Sequence, residues 1–395
     1  MSAKMYDSPH QFEPLWPTVD VDALQAQSAG IVEASLKLTA GAHDTARASI
    51  RELVRSMNSY YSNRIEGQCT HPKNIESALR NDFSSRPDVA KLQRIALAHI
   101  AAERELEVMV EQGQSPRSSN FLIAAHRALY AKLDESDRTL EEDGHVIIPG
   151  GLRTDAVTVA RHIPPSSEAV PRFLARMDEV YAQPMGWENL LVSVACLHRR
   201  AAWVHPFRDG NGRATRLQSH CALWPLSAGL WSPSRGLARA RDAYYAQLHN
   251  ADQPRRGDLD GRGNLTAAGL TAWVRFFLDV CEDQVRFMSR LLALDGMKLR
   301  IEALITFRAA HDRAIRQEAV LPLFHVFAAG PLSRGEFIQM TGLSERTARR
   351  ILSRLLATSL LVSDAPLGPV RFGLPLDSLQ FLLPELYPEV NSSVD

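Results

Sequence analysis

The stretch His205-Pro-Phe-Arg-Asp-Gly-Asn-Gly-Arg-Ala-Thr-Arg216 decides how this chain is interpreted. It combines one imidazole, one carboxylate, a Gly-Asn-Gly turn and two arginines three residues apart. If a helix begins near Asn211, Arg213 and Arg216 share one face of it. A glycine-bounded turn that leads into a helix presents unpaired backbone N–H groups, which bind anions. The stretch therefore predicts a site for a phosphate-containing ligand.

The side chains around this turn fit the same chemistry. Arginine forks suit phosphate oxygens, and Asp209 beside phosphates is suited to hold Mg²⁺. His205 has an ordinary pKa near neutrality and is suited to take a proton from an incoming hydroxyl. Five arginines against one acid between Arg199 and Arg216 give a local charge of +4, which is expected to need an anionic ligand. His198 is interpreted as a core or surface histidine, because no third metal ligand is evident.

The stretch is similar to the signature H-x-F-x-[D/E]-G-N-G-R-x-x-R of the Fic family, at every fixed position. The resemblance implies transfer of AMP from ATP to a Ser, Thr or Tyr hydroxyl of a target protein, with Mg²⁺ (or Mn²⁺) as cofactor. It implies a general base, a metal ligand and a buried anchor at His205, Asp209 and Phe207. It also implies phosphate ligands at Gly210, Asn211, Gly212, Arg213 and Arg216, the last for the γ-phosphate.

A second motif, Ser62-Asn-Arg-Ile-Glu-Gly67, resembles the family's inhibitory pattern [S/T]-x-x-x-E-[G/N]. Glu66 is predicted to lie at the end of a helix and to form a bidentate pair with Arg216. That pair would occupy the guanidinium needed by the γ-phosphate and so compete with ATP. Ser62, Glu66 and Gly67 are accordingly predicted to be inhibitory residues.

The resemblance covers about residues 10 to 285 and suggests two further parts of the site. Residues 151–159, followed by His162-Ile-Pro-Pro165, resemble a β-hairpin flap that docks the target backbone by strand addition. The docking residues predicted in it are Gly151, Arg153, Val157, Thr158 and Val159. Tyr245, beside Tyr244, resembles the wall on the adenine side. Asp252 stands where family members often carry an amide, which leaves the preferred base open.

Most of the chain has helical periodicity. The predicted helices run from Ile50 to Ile65 with a C-cap at Gly67, over 88–111, and over 121–133 with Asn120 as the cap. Further helices are predicted near 167–204, 266–292 and 297–310. Residues 146–148 and 156–159 are predicted to form two short strands around a turn. The predicted fold is mainly α: a Fic-like helical core with a β-hairpin flap, plus a small α+β winged-helix domain.

We divide the chain into a regulatory helical region (1–115), a catalytic core (116–294) and a winged helix-turn-helix (295–395). In the last of these, helices are predicted at 333–340 and 345–358, with a wing at 362–372. Residues 331–373 carry six arginines against three acids. DNA binding is one interpretation of this charge, and protein docking or dimerisation is the other.

The composition limits the class of protein, the state of the cysteines and the expected location. The 395 residues have 45 Lys plus Arg against 45 Asp plus Glu, so the chain is not basic throughout. Cysteines 69, 196, 221 and 281 are widely spaced and are expected to be reduced thiols. No signal peptide or membrane span is evident, and a cytoplasmic location is expected.

These observations favour a self-inhibited protein adenylyltransferase that modifies a target protein or itself. Two alternatives stay open. The same site, using Glu66, could remove AMP from a modified protein, as similar family members with this glutamate can. A nucleotide-sensing DNA-binding regulator is the other, although the intact His205 and Asp209 argue against a pure sensor.

Overall fold

A computed structural model of the chain describes residues 6–40, 44–68, 70–159 and 162–387. The chain is mainly helical, as the periodicity predicts. The helices are α1 (Val21–Ala40), α2 (Asp44–Ile65), α3 (Pro72–Leu79), α4 (Pro87–Glu111), α5 (Ser119–Tyr130), α6 (Val170–Tyr181), α7 (Trp187–Val204), α8 (Asn211–Ala222), α9 (Trp224–Ser227), α10 (Ser234–Arg239), α11 (Arg241–Ala251), α12 (Ala267–Leu292), α13 (Leu294–His311), α14 (Val320–Ala329), α15 (Arg334–Met340), α16 (Glu345–Ala357) and α17 (Leu379–Leu382). The strands are β1 (Leu361–Val362) and β2 (Arg371–Phe372), paired antiparallel.

One hydrophobic core joins these helices, from Phe12 near the start of the chain to Tyr387 near its end. Helix α7 lies at its centre and packs against α1, α6, α8 and α12. Helix α5 packs against α4 and α8, and α2 packs against α4 and α10. The N-terminal helices therefore share the core of the predicted catalytic region.

The decisive stretch connects α7 to α8. Helix α7 ends at Val204 and is capped by His205, which has a left-handed backbone (φ 48°), and α8 begins at Asn211 after Gly210 (φ 75°). The helix start predicted at Asn211 is confirmed. Two left-handed residues at the two ends of the connection turn the chain sharply and bring both helix ends into one cleft.

Helix α2 ends at Ile65, and Gly67 is left-handed (φ 76°), as predicted for a C-cap. The start of α5 differs from the prediction. The cap of α5 is Ser118, whose Oγ accepts a hydrogen bond from the N–H of Phe121, so the prediction of Asn120 is wrong. Ser118 lies earlier in a run of polar residues, and only the backbone geometry distinguishes the candidates.

The predicted pairing of residues 146–148 with 156–159 is wrong. Val146 pairs instead with Thr139, and Val159 pairs with His162 through backbone hydrogen bonds of 3.0 and 2.9 Å. Among the described residues of the flap, the observed pairing is thus the single bridge between Val159 and His162. The two-stranded sheet lies after α16, where the wing is predicted.

The cysteines that the structure describes, Cys196, Cys221 and Cys281, are buried free thiols. Burial raises the pKa of Cys196 to about 12, which keeps it protonated. Cys69 lies outside the described residues. None of the helices within the described ranges is both long and apolar enough to span a membrane.

Candidate active site

The loop between α7 and α8 is anchored from α5. Phe207 is fully buried, and its ring stacks on His126 with the centroids 3.9 Å apart. His126 Nδ1 accepts a hydrogen bond from the N–H of Gly150, and Nε2 donates to the carbonyl of Asp209 at 3.1 Å. Burial lowers the pKa of His126 to about 4, so the ring is neutral, as these two bonds require. The sequence prediction missed His126, because nothing local marks a histidine whose partners lie 24 and 83 residues further along the chain.

Asn211 closes the loop from the other side. Its Nδ2 donates to the carbonyl of Phe207 at 2.8 Å, and its Oδ1 accepts from the N–H of Phe207 at 2.9 Å. Its amide therefore holds the loop, and any anion contact at this position is left to its backbone. Gly210 has no side chain to cap α8, so the first N–H groups of α8 are available to an anion in the cleft.

Arg213 and Asp209 form an ion pair at 2.9 Å. Tyr130, at the end of α5, donates to Asp209 Oδ2 at 2.6 Å and accepts from Arg213 Nη2 at 2.6 Å. Arg213 Nη1 also donates to Gln68. Burial favours a higher pKa for Asp209, but Arg213 and the Tyr130 hydroxyl outweigh it and hold the pKa below its usual range. Asp209 is therefore a carboxylate at neutral pH. Tyr130 and Gln68 are site residues that the sequence prediction missed.

Arg216 is bound to the end of α2 through its Nε and Nη2 atoms. Its Nη2 donates to Glu66 Oε1 at 2.6 Å and to the carbonyl of Ser62 at 3.0 Å, and its Nε donates to Ser62 Oγ at 2.9 Å. The contact predicted between Glu66 and Arg216 is present, but it is a single bond rather than a bidentate one. Ser62 accepts from Nε through its Oγ and from Nη2 through its carbonyl.

The Glu66 carboxylate also covers the first turn of α8. A Cβ built at Gly212 would lie 2.3 Å from Glu66 Oε1, so the carboxylate rests directly on the backbone of Gly212. A helix N-terminus with unpaired N–H groups attracts negative charge. Glu66 thus supplies an internal anion at the position where the sequence predicts phosphate.

His205 lies at the other edge of this cleft. Burial, assisted by the charge of Arg153, lowers its pKa to about 4, so its imidazole is a neutral base at pH 7. Its carbonyl accepts a hydrogen bond from Arg153 Nε at 2.8 Å. Arg153 also donates to the carbonyls of Asp155 and Pro165.

Arg153 is only 5% exposed, so its predicted place on the docking surface is wrong. It ties the segment before the flap to the catalytic loop instead. The other predicted flap residues do reach the surface: Thr158 is exposed, and Gly151, Val157 and Val159 are half-buried. A role for them in target docking stays a prediction.

Tyr244 and Tyr245 separate into two environments. Tyr244 is buried and its hydroxyl hydrogen-bonds to His198 Nε2 at 3.0 Å, which makes His198 a core histidine as interpreted. Tyr245 is 42% exposed, and its hydroxyl donates to the carbonyl of Ile65 at the end of α2. Its ring is therefore available beside Glu66, and its contact with a base stays a prediction.

Acidic side chains neutralise most of the positive charge between residues 199 and 216. Arg199 pairs with Asp252, Arg208 with Asp143, Arg213 with Asp209 and Arg216 with Glu66. The prediction that this positive charge requires an anionic ligand is wrong. Three of the acidic partners lie outside residues 199–216 and cannot be identified from that stretch of sequence. Asp252 forms an ion pair with the buried Arg199, which explains its charge without a contact to the nucleotide base.

The arginines of the predicted helix-turn-helix are also largely held by other residues. Arg349 pairs with Glu345, Arg354 with Asp312, and Arg350 donates to the carbonyl of Arg313. Arg346 is exposed and has no partner among the residues that the structure describes. DNA binding by this domain stays a prediction that this arrangement does not strengthen.

The donor set fits a hard divalent cation. Asp209 is 40% exposed although Tyr130 and Arg213 hold one of its oxygens. Mg²⁺ is usually bound by one or two carboxylates together with substrate phosphates and water. Asp209, beside the N-terminus of α8, provides such a carboxylate.

Residues 116–223 match the model of the Fic/DOC family. A curated relative from Nematostella vectensis, named protein adenylyltransferase Fic, is 29% identical over 126 residues. That alignment covers 32% of this chain and 28% of the relative, so the chain spans less than a third of the relative's length.

Solved structures show the fold over a longer range. A Fic family protein from Desulfovibrio desulfuricans has a TM-score of 0.50 at 19% identity, covering 94% of this chain and 99% of that one. Fic-1 from C. elegans has a TM-score of 0.51 at 19% identity, covering 68% of this chain and 72% of that one. These similarities identify a Fic-type fold.

Proposed function

We propose that this protein is a self-inhibited protein adenylyltransferase, which transfers AMP from ATP to a hydroxyl of a target protein or of itself. The observation that carries the proposal is the position of Glu66. Its carboxylate lies on Gly212 and on Arg216, where an anion would meet both the N-terminus of α8 and a buried guanidinium. A site built for a phosphate is thus filled by the chain's own carboxylate.

In the proposed reaction, neutral His205 accepts the proton of the target hydroxyl while that oxygen attacks the α-phosphorus of ATP. The new bond joins the hydroxyl oxygen to phosphorus, and the bond that breaks releases pyrophosphate. Arg213, Arg216 and the first N–H groups of α8 stabilise the charge on the phosphates. Mg²⁺ held by Asp209 would supply further neutralisation of that charge. The low pKa of His205 supports its role, because the ring is free to accept a proton at neutral pH.

In the proposed function, Glu66 inhibits AMP transfer because it binds Arg216 in place of the γ-phosphate. Because Arg216 already donates to Glu66 and to Ser62, a γ-phosphate would have to displace Glu66 to bind it. ATP would bind productively only after the end of α2 moves or Glu66 is removed.

Removal of AMP at the same site is the second candidate. Glu66 is 31% exposed at the cleft, which allows a water molecule to reach its free oxygen. In this reverse use Glu66 would position the water that attacks phosphorus. Incubating a pre-modified target with wild type and Glu66→Gly separates the two, because removal needs Glu66 whereas transfer is restrained by it.

The proposal is tested by incubating Glu66→Gly with Mg²⁺, a panel of labelled nucleotides and cell lysate. A labelled band carrying an AMP adduct on Ser, Thr or Tyr by mass spectrometry supports adenylyl transfer. Labelling by another nucleotide in preference to ATP would correct the donor, and no adduct with any nucleotide would contradict the proposal.

A further inference from the structure

Tyr130 occupies a special position between the two charged residues of the loop. Its hydroxyl is 2.6 Å from Asp209 Oδ2 and 2.6 Å from Arg213 Nη2, and those two atoms are 2.9 Å apart. Its ring packs on the loop backbone, since a Cβ at Gly210 would lie 2.7 Å from Tyr130 Cε2. One buried side chain thus contacts the metal-ligand candidate, the phosphate-ligand candidate and the turn between them.

The direction of both hydrogen bonds follows from the partners. A guanidinium can only donate, so the hydroxyl accepts from Arg213 and gives its single proton to Asp209. The hydroxyl therefore anchors one carboxylate oxygen to the scaffold of α5.

We propose that Tyr130 is a positioning residue for cation and nucleotide binding, an inference that rests on the proposed function. Without its hydroxyl, the ion pair of Asp209 and Arg213 loses its anchor on α5, and Gln68 remains the other side-chain partner of Arg213. The carboxylate and the guanidinium would then be free to turn toward each other. Both would then be poorly placed for a divalent cation and a phosphate. The ring of Phe would still fill the space against Gly210, so the fold is expected to tolerate Tyr130→Phe.

The test measures Mn²⁺ binding in the presence of ATP by electron paramagnetic resonance, in proteins that all carry Glu66→Gly. Tyr130→Phe is expected to weaken Mn²⁺–ATP binding about tenfold, the usual effect of losing a charge-assisted hydrogen bond. Tyr181→Phe is the matched control, because it removes another buried hydroxyl, which donates to the carbonyl of Leu15 at 2.6 Å. That control is expected to bind Mn²⁺–ATP like the Glu66→Gly parent.

Equal Mn²⁺–ATP affinities for Tyr130→Phe and the parent would overturn the role of Tyr130 alone. Equal losses in Tyr130→Phe and Tyr181→Phe would also overturn it, because they would indicate a general effect on stability. Absence of Mn²⁺–ATP binding in the parent would contradict the proposed function as well.

A separate set of contacts links the C-terminal region to the inhibitory helix α2. The hydroxyl of Tyr61 donates to the carbonyl of Leu386 at 3.0 Å, and the ring of Tyr387 lies against Tyr60 and Tyr61 with centroids 5.7 and 6.4 Å away. Near the start of α2, Ser49 Oγ donates to the carbonyl of Phe372 in β2. Tyr61 directly precedes Ser62, which holds Arg216.

From these contacts we infer that residues 372–387 clamp α2 in its inhibitory position. The clamp holds Tyr61 on one side of the helix while Arg216 holds Ser62 and Glu66 on the other. Displacement of the C-terminal segment would free the end of α2 and release Arg216. Regulation of the site would thus pass through the helix-turn-helix region, and this too rests on the proposed function.

Tyr387→Ala tests the clamp, because it removes the ring that packs on α2 and leaves Glu66 in place. Tyr387→Ala is expected to raise AMP transfer severalfold over wild type. In the Glu66→Gly background the same change is expected to add nothing, because the inhibitory carboxylate is already absent. Phe276→Ala is the control, since the half-buried ring of Phe276 packs on Trp273 within α12, outside the proposed clamp. Tyr61→Phe, which removes only the hydroxyl, should give a smaller rise in the same direction.

The clamp is overturned if Tyr387→Ala and Tyr61→Phe both transfer AMP at the wild-type rate while Glu66→Gly is activated. No activation in Glu66→Gly would instead point to failure of the proposed function. A thermal melt of each variant shows whether the fold is retained, and a folded Tyr387→Ala without activation counts against the clamp.

Discussion

Glu66 Oε1 and Arg216 Nη2 lie 2.6 Å apart, although 150 positions separate them in the chain. The same guanidinium holds Ser62 through both its side chain and its carbonyl. The last turn of α2 and the first turn of α8 are therefore joined by three hydrogen bonds to one buried arginine. An anion that needs Arg216 has to break this contact first.

Ser62→Ala should activate AMP transfer partially. The change removes the Oγ acceptor of Arg216 Nε but leaves the carbonyl of Ser62 and the Glu66 carboxylate. We expect a rate between those of wild type and Glu66→Gly, because a charge-assisted hydrogen bond contributes roughly 1.5–3 kcal/mol. Initial rates with labelled ATP measure this, and Ser56→Ala, on the exposed side of α2, is the control.

The pH dependence of transfer should lack an inflection near the ordinary histidine pKa. Burial lowers the pKa of His205 to about 4, so the basic form predominates above that pH. The kcat/KM of Glu66→Gly reports the free enzyme, and it should be flat between about pH 6 and pH 8 and fall only on approach to pH 4. A half-maximal rate near pH 6.5 would show that His205 is not shifted or is not the base.

Arg153→Lys should reduce turnover more than nucleotide affinity. The arginine fork spans the carbonyls of His205, Asp155 and Pro165, and a single ammonium group has no comparable reach. We expect kcat in the Glu66→Gly background to fall by about tenfold to a hundredfold, since His205 would lose its fixed orientation. The KM for ATP should change little, and a fall in affinity with unchanged kcat would contradict this role.

A buried cluster connects α2, α4 and α8 below the site. His220 Nε2 lies 3.0 Å from Glu107 Oε1 and 3.5 Å from Glu103 Oε1, Arg55 binds Glu107, and Asn58 donates to Glu103. Burial favours a lower pKa for His220, but the two glutamates outweigh it and raise the pKa. Burial raises the pKa of Glu103 to about 7.

His220→Gln should lower the free energy of unfolding by about 3 kcal/mol, the usual effect of removing one partner from a buried ion pair. A raised pKa in the folded state stabilises below the unfolded pKa and loses that contribution as pH rises through the folded value. The difference between wild type and His220→Gln should therefore be larger near pH 6 than near pH 8.5. Urea unfolding in EDTA measures it, since the donor atoms of Glu103, Glu107 and His220 lie within 4.8 Å of one another. A difference that grows with pH would contradict the assignment.

Local sequence predicted the parts of the fold that local forces determine. The start of α8 at Asn211 follows from its glycine turn, and the end of α2 follows from Gly67. The contact of Glu66 with Arg216 was also predictable, but only from the resemblance of residues 62–67 to the inhibitory pattern and of residues 205–216 to the Fic signature.

Contacts without a local signature were not predictable. Tyr130 meets Asp209 across 79 positions and Arg199 pairs with Asp252, and no spacing rule marks either. Arg153 belongs to a predicted docking hairpin, yet tertiary packing buries it under the catalytic loop. The predicted pairing of residues 146–148 with 156–159 was wrong for a similar reason, since the pairing of a short extended segment depends on which backbone lies beside it in the fold.

The central claim is that Glu66 occupies the place of a phosphate in an otherwise competent adenylyltransferase. The most direct measurement compares transfer of label from α-labelled ATP to protein by wild type, Glu66→Gly and Glu66→Gly combined with His205→Ala. The account predicts weak labelling by wild type, strong labelling by Glu66→Gly and none by the double variant. Equal labelling by wild type and Glu66→Gly, or full labelling by the double variant, would contradict it.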